Sequence, residues 1–321
     1  MAPRLGLGGG VTANPASGLF ANLLLDDYPD AMFAYSVRKL SNDYSGYAMK
    51  VRESDGDEEA DVGFDAAGTI SLSSPIANET GGSGPTLGDF VDAGGDDNGA
   101  YVTTWYDQSG NGRNATNTTD AYQPHIVVSG AINTQNSKPA IDFNLRGGDS
   151  TKVNLSNTGW ATVSQPFTLT VVATADESGG SSNQQLLDGD DSTSSNRVIL
   201  GFLFGASLMQ GAYAGSTKYL VAPADSANTD QQHWFAVYNG DPPDSLMSFN
   251  GSDVVDPEAG LPSSQVWGLH TNAMEGFRLG ARYSQTYGWK GDVQEFVGWP
   301  SSQLANQAGL TANSNSYFSI Y

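Results

Sequence analysis

The sequence predicts an all-β fold, a sandwich of antiparallel strands, and three observations support this prediction. From residue 101 onwards the 321-residue chain divides into short β-type segments separated by turn residues. No helical patterns alternate with these segments, which favours a sandwich over βαβ units. Only 15% of the residues are charged and 39 are glycine, a composition typical of a protein rich in strands and turns.

The predicted strands are short and are bounded by Gly, Pro, Asn, Asp and Ser. They are Tyr47–Arg52, Tyr101–Tyr106, Ile126–Val128, Ala140–Phe143, Phe167–Ala173, Arg197–Phe204, Trp234–Tyr238, Leu246–Phe249, Phe277–Leu279 and Val293–Val297. Asn250 and Gly251 directly follow one of these segments and are a strong signal for a two-residue hairpin turn. No repeat of fixed period is visible, which disfavours a propeller or a solenoid.

Residues 1–26 are predicted to form an attachment arm, and residues 27–321 a single domain. The arm is rich in glycine and other small residues, which cannot bury enough surface to fold alone, so its default state is disorder. Alternatively, Leu5, Leu7 and the apolar stretch Leu19–Leu25 supply contacts with a partner.

A short helix is predicted from about Tyr28 to Leu40. Pro29 suits the first helical turn, and Phe33, Val37 and Leu40 recur at helical spacing, which places them on one face. This is the one helix that the sequence predicts.

The charge balance excludes some classes of partner. Thirty-five acidic residues against 14 basic ones give a net charge of −21, which repels phosphate backbones and anionic lipid headgroups. We therefore expect neither nucleic acid nor membrane as a partner. The chain contains no cysteine, so disulfides and thiolate chemistry are excluded as well.

Cofactor signals are weak. Six of the nine residues from Glu53 to Asp61 are acidic, which predicts a solvated loop, with a Ca²⁺ site as the alternative. His125, His233 and His270 are isolated and lack ligand spacing, so no zinc site is expected. No cofactor other than Ca²⁺ is indicated.

Several segments resemble known families in the order in which they occur. AYSVRKLSNDYSGYAMKVR (34–52), DVGFD (61–65) and YVTTWYDQSGNGRNAT (101–116) resemble the opening of the catalytic domain of fungal-type α-L-arabinofuranosidase B. The later half resembles the laminin-G and concanavalin-A-like lectin pattern, in PFTLTVVATADE (166–177), HWFAVYNG (233–240), LMSFNGSDV (246–254) and FRLGARYSQTYGWKGDVQEFVGWPSSQL (277–304). The resemblance implies a concanavalin-A-like jelly-roll sandwich of two antiparallel sheets, with an N-terminal arm and one short helix.

The most specific string is Tyr-Asp-Gln-Ser-Gly, whose last four residues are Asp107, Gln108, Ser109 and Gly110. Asp and Ser side chains can bond nearby backbone groups, and glycine permits a tight reversal. A structural turn is therefore predicted in preference to a sugar site.

The resemblance also indicates the positions in this chain that correspond to the catalytic carboxylates of the family. The family's nucleophile lies in an Asp-Leu-Glu-Asn-Gly string, but the best counterpart here, Leu200–Gly205, reads LGFLFG. Its acid/base follows a late Leu-Gly strand end, where this chain has residues 281–284, which read Ala-Arg-Tyr-Ser. No catalytic residue is assigned, and the carboxylates that remain as replacements are Asp188, Asp190, Asp191, Asp292 and Glu295. The last two belong to a strand pattern and are expected to face solvent.

Sugar binding would use aromatic faces beside hydrogen-bonding side chains. One late loop clusters such residues, and they are our candidates for carbohydrate binding: Arg282, Tyr283, Gln285, Tyr287 and Trp289. The alternative is that Tyr287 and Trp289 are core or interface aromatics.

Chains with a similar Arg-Leu-Gly-Leu-Gly start ahead of the same domain look like phage structural proteins. The resemblance therefore implies a virion component of the tail, fibre or capsid surface, located on the extracellular particle. Its implied task is attachment to host glycans, with decoration or stabilisation of the particle as the alternative. Its implied partners are other virion proteins, reached through the arm, and further copies of itself in a homo-oligomer. A glycoside hydrolase of arabinofuranosidase type is the alternative.

Overall fold

The computed structural model describes most of the chain from residue 23 onwards. The described residues are 23–81, 84–92, 98–144, 153–175, 184–190, 196–203, 207–214, 217–221, 229–241, 243–254, 266–268, 270, 272–282 and 287–321. Most of the predicted arm therefore lies outside the described residues. No helix in the described part of the chain is long and apolar enough to cross a membrane.

Among the described residues, the first half of the chain contains eleven short strands. They are β1 Phe33–Ser36, β2 Met49–Glu53, β3 Glu59–Val62, β4 Ile76–Ala77, β5 Ala100–Trp105, β6 Ala115–Thr116, β7 His125–Val128, β8 Ala131–Ile132, β9 Thr134–Gln135, β10 Lys138–Pro139 and β11 Ile141–Asp142. Strands β9 and β10 form a separate two-stranded ribbon.

The described segments of the second half contribute twelve strands, most of them longer. They are β12 Leu155–Val163, β13 Phe167–Ala175, β14 Gln184–Asp190, β15 Asn196–Leu203, β16 Ser207–Ala214, β17 Thr217–Val221, β18 Gln232–Tyr238, β19 Leu246–Phe249, β20 Ser252–Asp253, β21 Val266–Trp267, β22 Met274–Leu279 and β23 Gly291–Trp299. Every predicted strand overlaps an observed one.

The strands pair into two runs that we call the front and back sheets. The front sheet runs β21-β17-β16-β15-β14-β22-β12-β6, and all its pairs except β17–β21 are antiparallel. The back sheet runs β20-β19-β18-β13-β23, and the other edge of β23 pairs with β1 and β11. Strand β5 pairs with both β6 and β7 and so links the two runs.

The core lies between the two sheets and is rich in aromatic rings. Phe277 of the front sheet meets Phe296 of the back sheet with ring centroids 5.2 Å apart, and Phe202 meets Trp234 at 5.7 Å. Each fully buried side chain of this size contributes roughly 1.5–3 kcal/mol through removal of apolar surface from water. The all-β sandwich of antiparallel sheets that the sequence predicts is confirmed.

The hairpin predicted at Asn250 and Gly251 is also confirmed. The two residues join β19 to β20, with Phe249 paired to Ser252. Their φ angles are 49° and 76°, the positive values that a type I′ turn requires at both central positions.

The helix predicted for Tyr28–Leu40 is wrong. The segment contains β1, which pairs antiparallel with β23 so that Phe33 lies opposite Gly298 and Ser36 opposite Glu295. Residues 31–40 are all buried, which leaves no face of the segment for the solvent that an amphipathic helix needs. Pairing with the edge of β23 satisfies the backbone groups of this buried segment instead.

The observed helices lie elsewhere. They are α1 Leu24–Asp27, α2 Leu87–Asp92 and α3 Gln307–Phe318, with 3₁₀ turns at Asp120–Tyr122 and Leu304–Asn306. The α3 segment reads QAGLTANSNSYF, whose few apolar residues give no clear helical pattern, so sequence reasoning missed it. Helix α3 packs against β18 and covers part of the outer face of the back sheet.

Candidate functional site

A buried polar cluster lies on the outer face of the front sheet. Asp188 of β14 is opposite Ile199 of β15, a residue that packs outside the main core. Arg197 and Ile199 are two residues apart on one strand and therefore share that face. A bulge between Gln185 and Leu187 brings the side chain of Gln185 to the same face as Asp188.

The cluster is held by a fully buried ion pair. Nε of Arg197 lies 2.8 Å from Oδ1 of Asp188, and Nη2 of Arg197 donates to Oε1 of Gln185 at 3.0 Å. Asp188 is completely inaccessible to solvent. The guanidinium therefore satisfies a buried carboxylate that would otherwise be very costly.

Above this floor a more accessible rim is formed by two arginines and a tyrosine. Arg278 is the register partner of Asp188 on β22 and donates to the carbonyl oxygen of Arg282 at 3.4 Å. The guanidinium carbon of Arg282 lies 5.3 Å from the centroid of the Tyr287 ring. Tyr287 is 37% exposed and has a φ of 56°, an uncommon conformation for a bulky residue.

The segment that carries Tyr287 is anchored on both sides. The amide of Gln185 donates to the carbonyl of Tyr287 at 2.8 Å, and the amide of Trp289 donates to that of Gly280 at 2.7 Å. Trp289 is 1% exposed, and its ring packs 5.1 Å from Phe202. Of the five candidates, the structure therefore brings Arg282 and Tyr287 together at the rim and places Trp289 in the core. Tyr283 and Gln285 lie outside the described residues.

Replacing Trp289 with alanine is expected to lower the free energy of unfolding by about 3–5 kcal/mol, as large-to-small changes of buried aromatics do. Urea unfolding followed by fluorescence measures it. The control is Tyr287→Ala in the same loop, which we expect to stay within about 0.5 kcal/mol of the unmodified protein because the side chain is exposed. Similar losses for both variants would contradict the anchoring role of Trp289.

The Tyr-Asp-Gln-Ser-Gly string forms a densely bonded turn. The carboxylate of Asp107 accepts from the amides of Ala34, Ser109 and Arg113 at 2.8, 2.9 and 3.0 Å. Gln108 accepts from the amide of Leu40 and donates to two carbonyls of the same neighbouring segment. These bonds fasten residues 34–40 to the end of β5.

Gly110 completes this turn. Its φ of 85° lies in the left-handed region, which glycine enters without steric cost. The hydrogen-bonding side chains of Asp107 and Gln108 are thus committed to the fold.

Asp292 and Glu295 are buried, so the expectation that they face solvent is wrong. Asp292 accepts from Nδ2 of Asn133 at 2.5 Å and from Nε2 of Gln135 at 2.6 Å. Glu295 accepts from Arg38 at 2.7 and 3.0 Å. Side chains from β9 and from residues 36–38 cover these acids. These residues are far from β23 in the chain, so the alternation of polar and apolar residues within GDVQEF does not reveal the burial.

Two acids do lie side by side, but on the back sheet. Asp142 and Asp292 are register partners on β11 and β23, and both are buried. The amide of Asn144 donates to Asp142 at 2.7 Å, and the two side-chain amides described above occupy Asp292. The pair is therefore part of a buried structural network. Its strands, β11 and β23, do not pair with the strands β14, β15 and β22 that carry the front-sheet cluster.

The front sheet shows no carboxylate where the resemblance places the nucleophile. Leu200 and Phe202 of β15 lie in the core, and Ala281, at the place of the acid/base, is buried. Asp191 and the side chain of Asp190 lie outside the described residues. Among the replacement acids that the sequence identified, Asp188 is the one whose side chain is described on this face of the front sheet, and it is paired with Arg197.

The acidic run from Glu53 to Asp61 is less solvated than predicted. Glu53 is 2% exposed and accepts from the amide of Gly56 at 2.6 and 2.9 Å, which closes the turn after β2. Arg52 pairs with Asp57. In the described residues, no group of three or more His, Asp or Glu side chains is arranged to hold a metal ion.

No protein-family profile and no curated protein sequence matches the chain. Among solved structures, a mutant of a GH54 α-L-arabinofuranosidase soaked with 4-nitrophenyl α-L-arabinofuranoside superposes with a TM-score of 0.55 at 14% identity, over 88% of this chain and 62% of that one. An arabinofuranosidase complexed with arabinofuranosyl-α-1,2-xylobiose gives 0.55 at 15%, over 92% and 65%. The chain thus matches less than two thirds of the length of either enzyme. At such identities the likeness establishes the fold, and this chain has the β-sandwich fold of these glycosidases.

Proposed function

We propose that this chain is a non-catalytic glycan-binding protein whose site is the rim of Arg278, Arg282 and Tyr287. The observation that supports it is the exposed Tyr287 ring, held in an unusual backbone conformation beside the Arg282 guanidinium. An aromatic ring beside fixed hydrogen-bond donors is the combination that recognises sugars in a shallow cleft. The buried Asp188–Arg197 pair beneath it keeps the floor of the site rigid.

The chemistry of the front sheet supports binding over hydrolysis. A retaining glycosidase needs two carboxyl groups about 5 Å apart, and an inverting one needs them about 6.5–9.5 Å apart with room for water. Asp188 is fully covered and bonded to a guanidinium, which leaves it unavailable to attack a sugar or protonate a leaving group. The buried pair Asp142 and Asp292 is likewise occupied by amides.

We also propose that the protein is an outward-facing component of a virus particle, attached through residues 1–26. The resemblance of the chain's start and of its YDQSG domain to phage structural proteins supports this location. The protein should then co-purify with particles and be lost from them when residues 1–22 are deleted, a deletion that spares the buried Leu24 and Leu25 of α1. Particles that retain the shortened chain would overturn attachment through the arm.

A glycan array, followed by calorimetry on the best ligand, tests the binding function. Tyr287→Ala is expected to weaken binding about tenfold or more, since a central aromatic contact typically contributes about 2 kcal/mol. Tyr321→Ala is the matched control, because Tyr321 is 61% exposed and follows α3, which packs against β18 of the back sheet, whereas the front sheet carries the rim. Equal affinities of the two variants would remove the rim as the site.

The likeness of the fold to arabinofuranosidases is the observation that supports the alternative, a glycoside hydrolase. Incubation with arabinofuranosyl substrates, with release of arabinose as the readout, separates the two functions. We expect no release. Turnover that disappears in Asp188→Asn would establish the enzyme and overturn the non-catalytic assignment.

A further inference from the structure

A second concave site lies beside the Tyr-Asp-Gln-Ser-Gly turn, on different elements from the rim. A cleft of about 280 Å³ opens where residues 29–31, residues 41–44 and the turn at 108–110 meet. Leu25, Pro29 and Ala31 give it an apolar wall. Asp30 and Asp43 add two exposed carboxylates to its lining.

Most polar groups of this lining are already bonded within the protein. The Ser41 hydroxyl donates to Asp26 at 2.9 Å, and that of Ser109 donates to Asp107 at 2.9 Å. The Tyr44 hydroxyl donates to the carbonyl of Tyr47 at 2.7 Å. The Gln108 side-chain amide donates to the carbonyls of Ser36 and Arg38. The side-chain donors of the cleft are therefore bonded within the protein, and the side-chain groups that it still offers a ligand are acceptors.

The acceptors that remain are the two carboxylates. The side-chain carboxylates of Asp30 and Asp43 take part in no hydrogen bond or ion pair with the described residues, whereas those of Asp26 and Asp107 nearby accept several hydrogen bonds. The lining contains no lysine or arginine. Two unpaired carboxylates therefore face the cleft in a chain whose net charge is already −21.

Two free carboxylates beside an apolar wall favour a particular ligand chemistry. A guanidinium group has five N–H donors and no acceptor, and its planar fork matches carboxylates. The aliphatic stem of an arginine packs on apolar surface while its head stays polar. A sugar hydroxyl both donates and accepts, and no free side-chain donor of the cleft would answer its acceptor capacity. An anion would be repelled by the two carboxylates.

We infer that this cleft binds the side chain of an arginine presented by a partner protein. The inference is independent of the glycan-binding proposal, because none of the rim residues lines the cleft. It gives the acidic surface of the chain a specific use, namely recognition of a basic protein segment. The structural bonds of Asp107 and Gln108 hold the floor of the cleft in place.

Calorimetric titration of the full chain with Nα-acetyl-arginine amide tests the inference. The matched probe is Nα-acetyl-citrulline amide, which has nearly the same shape without the charge. We expect the arginine probe to bind about tenfold or more tightly than the citrulline probe, because charge-assisted hydrogen bonds are about twice as strong as neutral ones. Raising the salt concentration should weaken the arginine probe selectively.

Variants localise the binding. Asp43→Asn and Asp30→Asn should each weaken the arginine probe several-fold, and together they should abolish its preference over citrulline. Asp92→Asn is the control, since Asp92 is exposed on α2 and its loss changes the net charge equally. Thermal unfolding of all variants should be unchanged, as neither cleft carboxylate bonds within the described protein.

Three outcomes would overturn the inference. They are equal binding of the two probes, unchanged arginine binding in the Asp30→Asn, Asp43→Asn double variant, and stronger binding of a neutral monosaccharide than of the arginine probe at this cleft. Tyr287→Ala should leave arginine binding intact, so failure of this inference and failure of the glycan-binding proposal are distinguishable.

Discussion

Replacing Glu295 with alanine is expected to lower the free energy of unfolding by about 3–5 kcal/mol, the usual consequence of leaving one member of a buried ion pair without its partner. Nε and Nη2 of Arg38 lie 2.7 and 3.0 Å from the two carboxylate oxygens of Glu295, and both side chains are almost fully buried. The carboxylate also accepts from Ser36 at 2.9 Å and from Ser314 of α3 at 3.1 Å. Its loss would therefore leave the buried guanidinium without its carboxylate and the Ser314 hydroxyl without its acceptor.

The same variant should loosen helix α3. The guanidinium of Arg38 lies 4.9 Å from the ring centroid of Tyr317 and 5.3 Å from that of Phe318, so the pair connects the helix to the back sheet. We expect faster amide exchange in α3 than in β13, which lies in the centre of the sheet. Guanidinium chloride unfolding gives the size of the effect, and hydrogen exchange gives its location.

The control is the double variant Arg38→Met, Glu295→Leu, which removes both charges together. Because well-packed apolar residues often replace a buried ion pair at little cost, it should recover most of the stability lost in the single variant. A double variant as unstable as Glu295→Ala would show that shape, and not the uncompensated charge, determines the loss.

The second large effect expected is a loss of stability at acidic pH that depends on His233. Burial lowers the pKa of this histidine from 6.5 to about 4, the nearby Glu295 carboxylate opposes that shift, and the Arg38 guanidinium adds to it. Its two ring nitrogens find no hydrogen-bond partner in the described structure. The folded protein therefore holds His233 neutral in a site that disfavours the proton.

The direction of this pH dependence follows from how many protons the folded and unfolded chains bind. Between pH 6.5 and about 4 the unfolded chain binds a proton at His233 that the folded chain does not, so stability falls as the pH decreases through this window. A shift of this size corresponds to about 3 kcal/mol when the whole window is crossed. Above pH 7 the contribution is fully present.

Urea midpoints measured from pH 7 down to pH 4 test this expectation. Titrating carboxylates contribute in every variant, so the informative quantity is the difference between the unmodified protein and His233→Leu. That difference should change by up to about 3 kcal/mol across the window. His270→Gln serves as the control, because His270 is only half-buried. Parallel pH profiles for the unmodified protein and His233→Leu would contradict a neutral buried histidine.

Alternating apolar and polar residues, bounded by turn residues, correctly predicted ten of the strands. Leu246–Phe249 followed by Asn250 and Gly251 specifies both a strand and its turn, because a type I′ turn admits few other residues. The strands β12 and β16 were missed. LSNTGWATV and SLMQGAYA contain small and polar residues that pair well inside a sheet but give no apolar alternation.

The candidate site was predicted in part. The loop carrying Tyr287 was found because Arg and aromatic residues cluster there, but Asp188, Arg197 and Gln185 were not connected to it. They come from β14 and β15, nearly a hundred residues earlier in the chain, and only strand pairing with β22 brings them together. An ion pair between residues nine positions apart on a hairpin leaves no signal of its own in one sequence.

The sequence by itself determined the all-β class, the positions of ten strands, the hairpin at Asn250 and the acidic character of the surface, because these follow from side-chain alternation, turn chemistry and charge. The tertiary structure decided which residues are buried. It turned the helical pattern around Phe33 into β1, placed Trp289 in the core and covered Asp292 and Glu295. The physical reason is that desolvation and pairing depend on what lies across the sheet, and those neighbours are distant in the chain.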